Sequence, residues 1–295
     1  MLSLKDFKCL TLEDKKTFDY YYSLTPPFHS GLLFTTMISW SHYVGYYYTI
    51  YDDVLIIMTD FKGEKQIRAP VGAYSAEVYN LVVKLAYEVC GDKPLGFISK
   101  EIKEWMSRNI PGLSYKEERD LFDYVYRSYD LANLPGSAYA KIRNRLNKFK
   151  KKYNYSIERI TEDNMKEVRE FLRRWCIWRD CSSDELLENE RKAVIYSMDH
   201  FFYLGLSGLA LCINGNVEAV SVFERLNNDT AVIHYEKGSP DYDGVYKAIN
   251  METARYLQDE FPFIDREEDL GVPGLRQAKL SYNPHHFIEV YSTSR

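Results

Sequence analysis

Two cations near the C-terminus are placed as if to meet one negative charge. In EEDLGVPGLRQAKLSYNP, Glu267 to Pro284, Arg276 and Lys279 lie three residues apart behind a Gly-Val-Pro-Gly turn. On one turn of helix that spacing projects both side chains the same way. Upstream, HYEKGSPDYDGVYKAIN carries His234 and Glu236 two apart. On a strand they share a face, and either could act as a base, although a lone strand histidine is more often a satisfied core residue. The loop that follows holds Lys237, Gly238, Asp241, Asp243 and Gly244, and it leads into a helix whose first N–H groups would attract phosphate. Asp241 and Asp243 would repel it. They read either as caps at the helix N-terminus or as anchors for an ammonium group. His285 and His286 have no carboxylate at ligand spacing, so no metal site is expected there.

The elements that position these residues follow from periodicity. GLALCINGNVEAVSVFERLNNDTAVIHYEKG reads as three strands, with Asn214-Gly215 the first hairpin turn. VYKAINMETARYLQDEF is a helix and FIDRE a closing strand. The first half repeats that order. TLEDKKTFDYYYSL starts a helix with a Thr11/Asp14 capping-box pattern, and YVGYYYTIYDDVLIIMTD is strand, Asp-Asp turn, strand. SAEVYNLVVKLAYEVCG is a helix capped by Ser75 and stopped by Gly91. Each half thus runs helices, antiparallel meander, loop, helix, strand, which predicts an α+β protein of two similar units, 1–128 and 129–295.

The second unit is expected to begin with a basic amphipathic helix, about 137–153. Ile142, Leu146, Phe149 and Tyr153 make one apolar stripe, and Lys141, Arg143, Arg145, Lys148, Lys150, Lys151 and Lys152 fall on the other face. That face reads as a solvated surface or as a patch for a phosphate-bearing partner, whether a tRNA, a phosphorylated small molecule or a lipid head group. The rest of the chain is not basic: 295 residues carry a formal charge of -5, so any anion site must be local. The five cysteines are scattered, which argues against a zinc site or a disulfide framework and for free thiols in a reducing cytoplasm. No signal peptide is visible. The uncharged stretch between Asp19 and Asp52 holds two prolines, two glycines and many hydroxyls, and reads as a buried aromatic segment rather than a membrane span.

Three stretches carry a family resemblance: DYVYRSYDLANLPGSAYAKIRNRLNKFKKKY, IHYEKGSPDYDGVYKAINMETARYL and FIDREEDLGVPGLRQAKLSYNP. In order and content they resemble the bacterial family related to the C-terminal domain of phosphatidylglycerol lysyltransferases, which is similar in turn to the Fem-type aminoacyltransferases. The resemblance implies two GNAT-type acyltransferase folds in tandem, each a mixed, mostly antiparallel sheet flanked by helices. It also implies transfer of an activated acyl or aminoacyl group to an amine or hydroxyl, such as a lipid head group or peptide. Lys279 matches the lysine that in Fem-type enzymes is thought to stabilise developing charge, and Arg276 would assist it. Tyr282 would close the pocket wall. No covalent intermediate is needed, in keeping with the absence of a Gly-x-Ser-x-Gly elbow. No cofactor is expected. The 237–244 loop lacks the glycine-rich signature for coenzyme A, so aminoacyl-tRNA is the favoured donor and acyl-CoA the lesser one. The expected setting is the cytoplasm, with peripheral contact to anionic lipid an option. A non-catalytic ligand- or partner-binding protein is the alternative.

Overall fold

The computed structural model describes residues 2–91, 94–181 and 184–294. In chain order the elements are β1 (Lys8–Cys9), α1 (Lys15–Leu24), α2 (Phe34–Ser39), β2 (Gly45–Tyr51), β3 (Val54–Phe61), β4 (Glu64–Arg68), α3 (Ala76–Val89), β5 (Leu95–Gly96), α4 (Lys100–Asn109), β6 (Ser114–Glu117) and β7 (Asp123–Arg127). They continue with α5 (Ser128–Asn133), α6 (Ala140–Lys152), β8 (Tyr155–Arg159), α7 (Met165–Arg179), α8 (Glu185–Asp199), α9 (Phe201–Leu204), β9 (Ser207–Ile213), β10 (Asn216–Arg225), β11 (Thr230–Gly238), α10 (Val245–Leu257), β12 (Phe263–Asp265), α11 (Pro273–Leu280), β13 (His286–Ile288) and β14 (Tyr291–Ser294).

Local chemistry sets many of these boundaries. Thr11 and Asp14 form the reciprocal capping box that starts the turn before α1. Ser75 Oγ accepts the Val78 N–H at the start of α3. Asn214 and Gly215 both take positive φ, 53° and 80°, and so close the β9–β10 hairpin tightly. On α6 the stripe of Ile142, Leu146 and Phe149 is buried as expected.

The series β1, helices, β2–β3–β4, α3, β5, α4, β6 recurs as β8, helices, β9–β10–β11, α10, β12, α11, β13. One sheet has the order β1-β2-β3-β4-β5, and the other β13-β7-β12-β11-β10-β9-β8. Each has a single parallel junction among its registered pairs, β4 with β5 and β11 with β12. The strand that follows each series is traded. β7 follows the first series but lies between β12 and β13 of the second sheet, while β14 follows the second series and pairs with β6. The compact units are therefore Met1–Phe122 with Ile288–Arg295, and Asp123–Phe287. A cut at 128/129 leaves β7 with the first unit, whereas its hydrogen bonds to β12 place it in the second.

Each unit has its own core. In the first, Ile56, Met58 and Ile67 of the sheet pack with Val78, Tyr79 and Val82 of α3. In the second, Phe223, Ile233 and Ile264 pack with Ile249 of α10 and Phe149 of α6.

Candidate functional site

β11 and β12 pair over only three residues, Thr230↔Phe263, Ala231↔Ile264 and Val232↔Asp265. β11 then runs on to Gly238 while β12 ends, so the two strands part. Polar side chains occupy the gap. A bulge in β11 decides which ones. Phe223 of β10 pairs with Ile233 but Val222 pairs with Tyr235, so His234 is an inserted residue. The alternation slips there, and His234 and Glu236 do not share a face. Glu236 turns toward α10, where Asn250 donates to it at 3.0 Å. His234 turns to Glu224, whose neighbour Phe223 belongs to the core under α10.

On the α10 side, Arg266 at the end of β12 donates to Glu236 Oε2 at 2.6 Å. Its guanidinium lies 4.8 Å from the centre of the Tyr282 ring. Lys247 Nζ lies 4.5 Å from the same ring. Two glycines bring the start of α10 this close. A Cβ on Gly238 would meet Val245 at 2.8 Å, and one on Gly244, whose φ is 98°, would meet Phe149 at 2.9 Å. Gly244 supplies no side-chain cap. Burial, with Arg266 beside it, pulls the Lys247 amine down to about 8. Burial likewise pushes the Tyr282 phenol up. Among the described residues Lys247 forms no ion pair, whereas Glu236 and Arg266 neutralise each other. Sequence reasoning passed over Lys247 and Arg266. A lysine one turn into an amphipathic helix reads as solvent-facing, and the Arg of FIDRE as a strand end.

The residues expected at the site are dispersed. Lys279 is buried, and its Nζ donates to the carbonyls of Arg266 at 2.6 Å, Glu267 at 2.9 Å and Glu268. Burial pulls its amine below the ordinary lysine value. All three ammonium donors thus grip the turn after β12, and Lys279 reaches the gap only through the turn that carries Arg266. Arg276 makes a bidentate pair with buried Asp269, both bonds 2.7 Å. Tyr124 and the Gly271 N–H also donate to Asp269, so its carboxyl sits well below the usual carboxylate range despite burial. His234 bridges Glu224 at 2.7 Å and Glu267 at 3.0 Å. Burial opposes its charged form, but the two carboxylates outweigh that and push it up to about 10, so it is an imidazolium rather than a base at neutral pH. Tyr282 is the expected residue that does line the gap.

The basic helix divides in two. Arg143 donates to the carbonyls of Leu134 and Gly136, and Arg145 pairs with Asp243 through Nε at 2.8 Å. The Arg145–Asp243 pair holds α6 against the loop before α10, so Asp243 is neither a cap nor open to an ammonium ligand in this structure. Lys141, Lys148 and Lys151 are exposed and, among the described residues, have no hydrogen-bond or ion-pair partner. Asp241 is also exposed, its N–H donating to Ser239 Oγ.

Lys237 points away from α10. It pairs with Glu190 at 2.6 Å and lies 4.1 Å from the Trp175 ring. With α7 and α8 it walls a cavity of about 570 Å³ that also meets Cys176, Cys181 and Arg191. Among the described residues no group of His, Cys, Asp and Glu is arranged to hold a metal ion, and no helix is long and apolar enough to cross a membrane.

The pattern of the family described as phosphatidylglycerol lysyltransferase, C-terminal, matches residues 22–293. A conserved protein of unknown function from Bacteroides thetaiotaomicron superposes with a TM-score of 0.88 at 30% identity, over 98% of this chain and 99% of that one. L-PGS from Bacillus licheniformis gives 0.65 at 11% identity, covering 96% and 92%. FemX gives 0.57 at 10%, covering 98% and 97%, and so shares the fold. A protein of Mycoplasmoides gallisepticum, MYCGA3080, is 26% identical over 172 residues, 57% of this chain, which spans about half of that relative, 54%. The fold is shared with L-PGS and FemX, and the family relationship is to transferases. The chain belongs to the phosphatidylglycerol lysyltransferase C-terminal family.

Proposed function

We propose that the chain transfers an aminoacyl group from aminoacyl-tRNA to a hydroxyl or amine acceptor, with the reaction centre in the gap between β11 and β12. The observation that carries this reading is Lys247: a partly buried amine held near 8, beside the permanent cation of Arg266, at an N-terminus of a helix left without a side-chain cap. When the acceptor attacks the ester carbonyl, negative charge develops on the carbonyl oxygen and then on the departing ribose oxygen. A donor fixed in a poorly hydrated site stabilises that charge without reorganising. An ammonium with its pKa near the working pH can also give up its proton to the leaving oxygen and regain one afterwards. Burial and then Arg266 hold Lys247 low, and Arg266 with Glu236 fixes the floor of the gap. Lys279 sets Arg266 by gripping its carbonyl, and Tyr282 excludes water. The exposed Lys141, Lys148 and Lys151 would guide the phosphate backbone of the donor. Coenzyme A is the weaker donor candidate, since Asp241 stands exposed in the loop that would hold its pyrophosphate. The acceptor is a lipid head group or a peptide amine, met in the cytoplasm where charged tRNA is made.

The test is a transfer assay with tRNAs charged with labelled amino acids, against phosphatidylglycerol vesicles and amine-bearing peptides. Lys247→Met is expected to slow turnover about 10²–10³-fold, the effect of removing one such donor. Full activity of that variant would overturn the assignment. The second reading, a binding protein, is favoured by the buried rings of Tyr126 and Tyr282 beside Arg266. Saturable binding of charged tRNA with no transfer to either acceptor would select it.

A further inference from the structure

The cavity on the α7/α8 side of β11 holds a pair of thiols that the transfer chemistry does not use. Cys176 lies in the last turn of α7. Asp180 ends that helix in the left-handed conformation, φ 48°, with its N–H bonded back to Cys176 and Ile177. This reversal brings Cys181 under Cys176, and the two Sγ atoms are 2.9 Å apart. Both residues line the cavity of about 570 Å³, with the cations Arg191 and Lys237 on its wall. Arg191 interacts electrostatically with both sulfurs, and Lys237 with Cys176. The remaining cysteines, Cys9, Cys90 and Cys212, are also free.

We infer that Cys176 and Cys181 form a reversible disulfide site, oxidised by hydrogen peroxide entering the cavity. The Cys181 thiolate attacks one peroxide oxygen, the O–O bond breaks, and the departing hydroxide takes a proton, leaving a sulfenic acid. The Cys176 sulfur then attacks Cys181, the S–O bond breaks, and water leaves with the Cys176 proton. Two thiols and one peroxide thus become one disulfide and two waters. The sulfurs need close only from 2.9 Å to about 2.05 Å. Burial and the neighbouring Cys181 sulfur push the Cys176 thiol up to about 12, which makes Cys176 the proton-holding, resolving partner. The oxidised bond would tie the last turn of α7 to the second residue beyond its end.

The test treats the reduced full chain with hydrogen peroxide, then counts thiols in denaturant and maps peptides by mass spectrometry. The expected result is a fall from five titratable thiols to three, one Cys176–Cys181 cross-linked peptide, and full recovery with dithiothreitol. Cys9→Ser, at an exposed position, should leave the cross-link intact. Cys176→Ser should lose it and accumulate a sulfenic acid at Cys181 that dimedone traps, with an unchanged circular dichroism spectrum reporting the fold. Five surviving thiols, a cross-link through another cysteine, or dimedone labelling elsewhere would overturn the proposal.

Discussion

The corner where a meander strand hands over to a helix occurs twice, and its third helical residue differs. In the first unit, α3 begins after Ser75, which caps it, and the third residue is Val78, 1% exposed. The Tyr79 ring beside it packs 5.0 Å from Trp105, which also meets Tyr74 at 5.3 Å. In the second unit, α10 begins after Gly244 without a side-chain cap, and the third residue is Lys247. One corner is sealed with rings and aliphatic carbon. The other keeps an amine, a guanidinium and a carboxylate between parted strands. Two copies of one topology therefore need not carry two sites, because burial chemistry rather than topology decides where an anion can be met.

The largest effect should come from forcing the first corner to copy the second. Val78→Lys places an ammonium in the apolar cluster that holds Ile56, Ile67 and Tyr79. An uncompensated buried charge costs about 3–5 kcal/mol. Urea denaturation should show that loss, and a change under about 1 kcal/mol would mean that the first corner is as permissive as the second.

Next is Lys279→Met, which strips three carbonyls of their charged donor. Charge-assisted hydrogen bonds contribute about 1.5–3 kcal/mol each, and removing the burial cost of the ammonium offsets part of that. The expected net loss is about 2–3 kcal/mol, with transfer reduced through misplacement of Arg266. A variant as stable as the parent but inactive would instead restore to Lys279 the direct charge-stabilising role implied by the family resemblance.

A smaller, pH-dependent effect belongs to His234. Its folded value near 10 lies above the ordinary 6.5, so the folded chain binds the extra proton between those limits. Stability from this group is complete below about 6.5 and is lost as pH rises through about 10. In thermal melts from pH 6 to pH 10, His234→Gln should flatten the decline seen in the parent. Parallel curves would place the titrating group elsewhere.

Much of this framework is legible in the sequence because it is local. The Asn214-Gly215 turn, the Ser75 cap, the Thr11/Asp14 box and the stripe of Ile142, Leu146 and Phe149 are each encoded within a dozen residues. The trade of β7 and β14 is not local, since strand pairing depends on partners more than a hundred residues away. Register hides the His234 bulge for a similar reason: whether an extra residue is accommodated depends on β10. Charge is hardest to read. Lys237 looks like a loop cation until Glu190 appears opposite, and Arg276 looks free until Asp269 folds back to meet it. Lys247 looks like surface until Gly238 lets α10 settle on the strand and Gly244 lets its start close on α6.

The smallest effect on stability, and the sharpest on function, is expected from Lys247 itself. Replacing it with Met removes a charge that burial already disfavours, keeps an unbranched apolar side chain, and leaves the Glu236–Arg266 pair intact. Stability should change by less than about 0.5 kcal/mol, or rise. If the proton on Lys247 is what the reaction uses, parent activity should fall as pH rises through about 8, because the amine then loses the proton it must donate. The Met variant should lack that descending limb as well as most of the rate. Arginine at the same position would keep its charge across this range, so Lys247→Arg separates proton donation from simple charge. A descending limb that persists in Lys247→Met assigns the titration to another group, and a Lys247→Arg enzyme with full rate and no limb assigns Lys247 an electrostatic role alone.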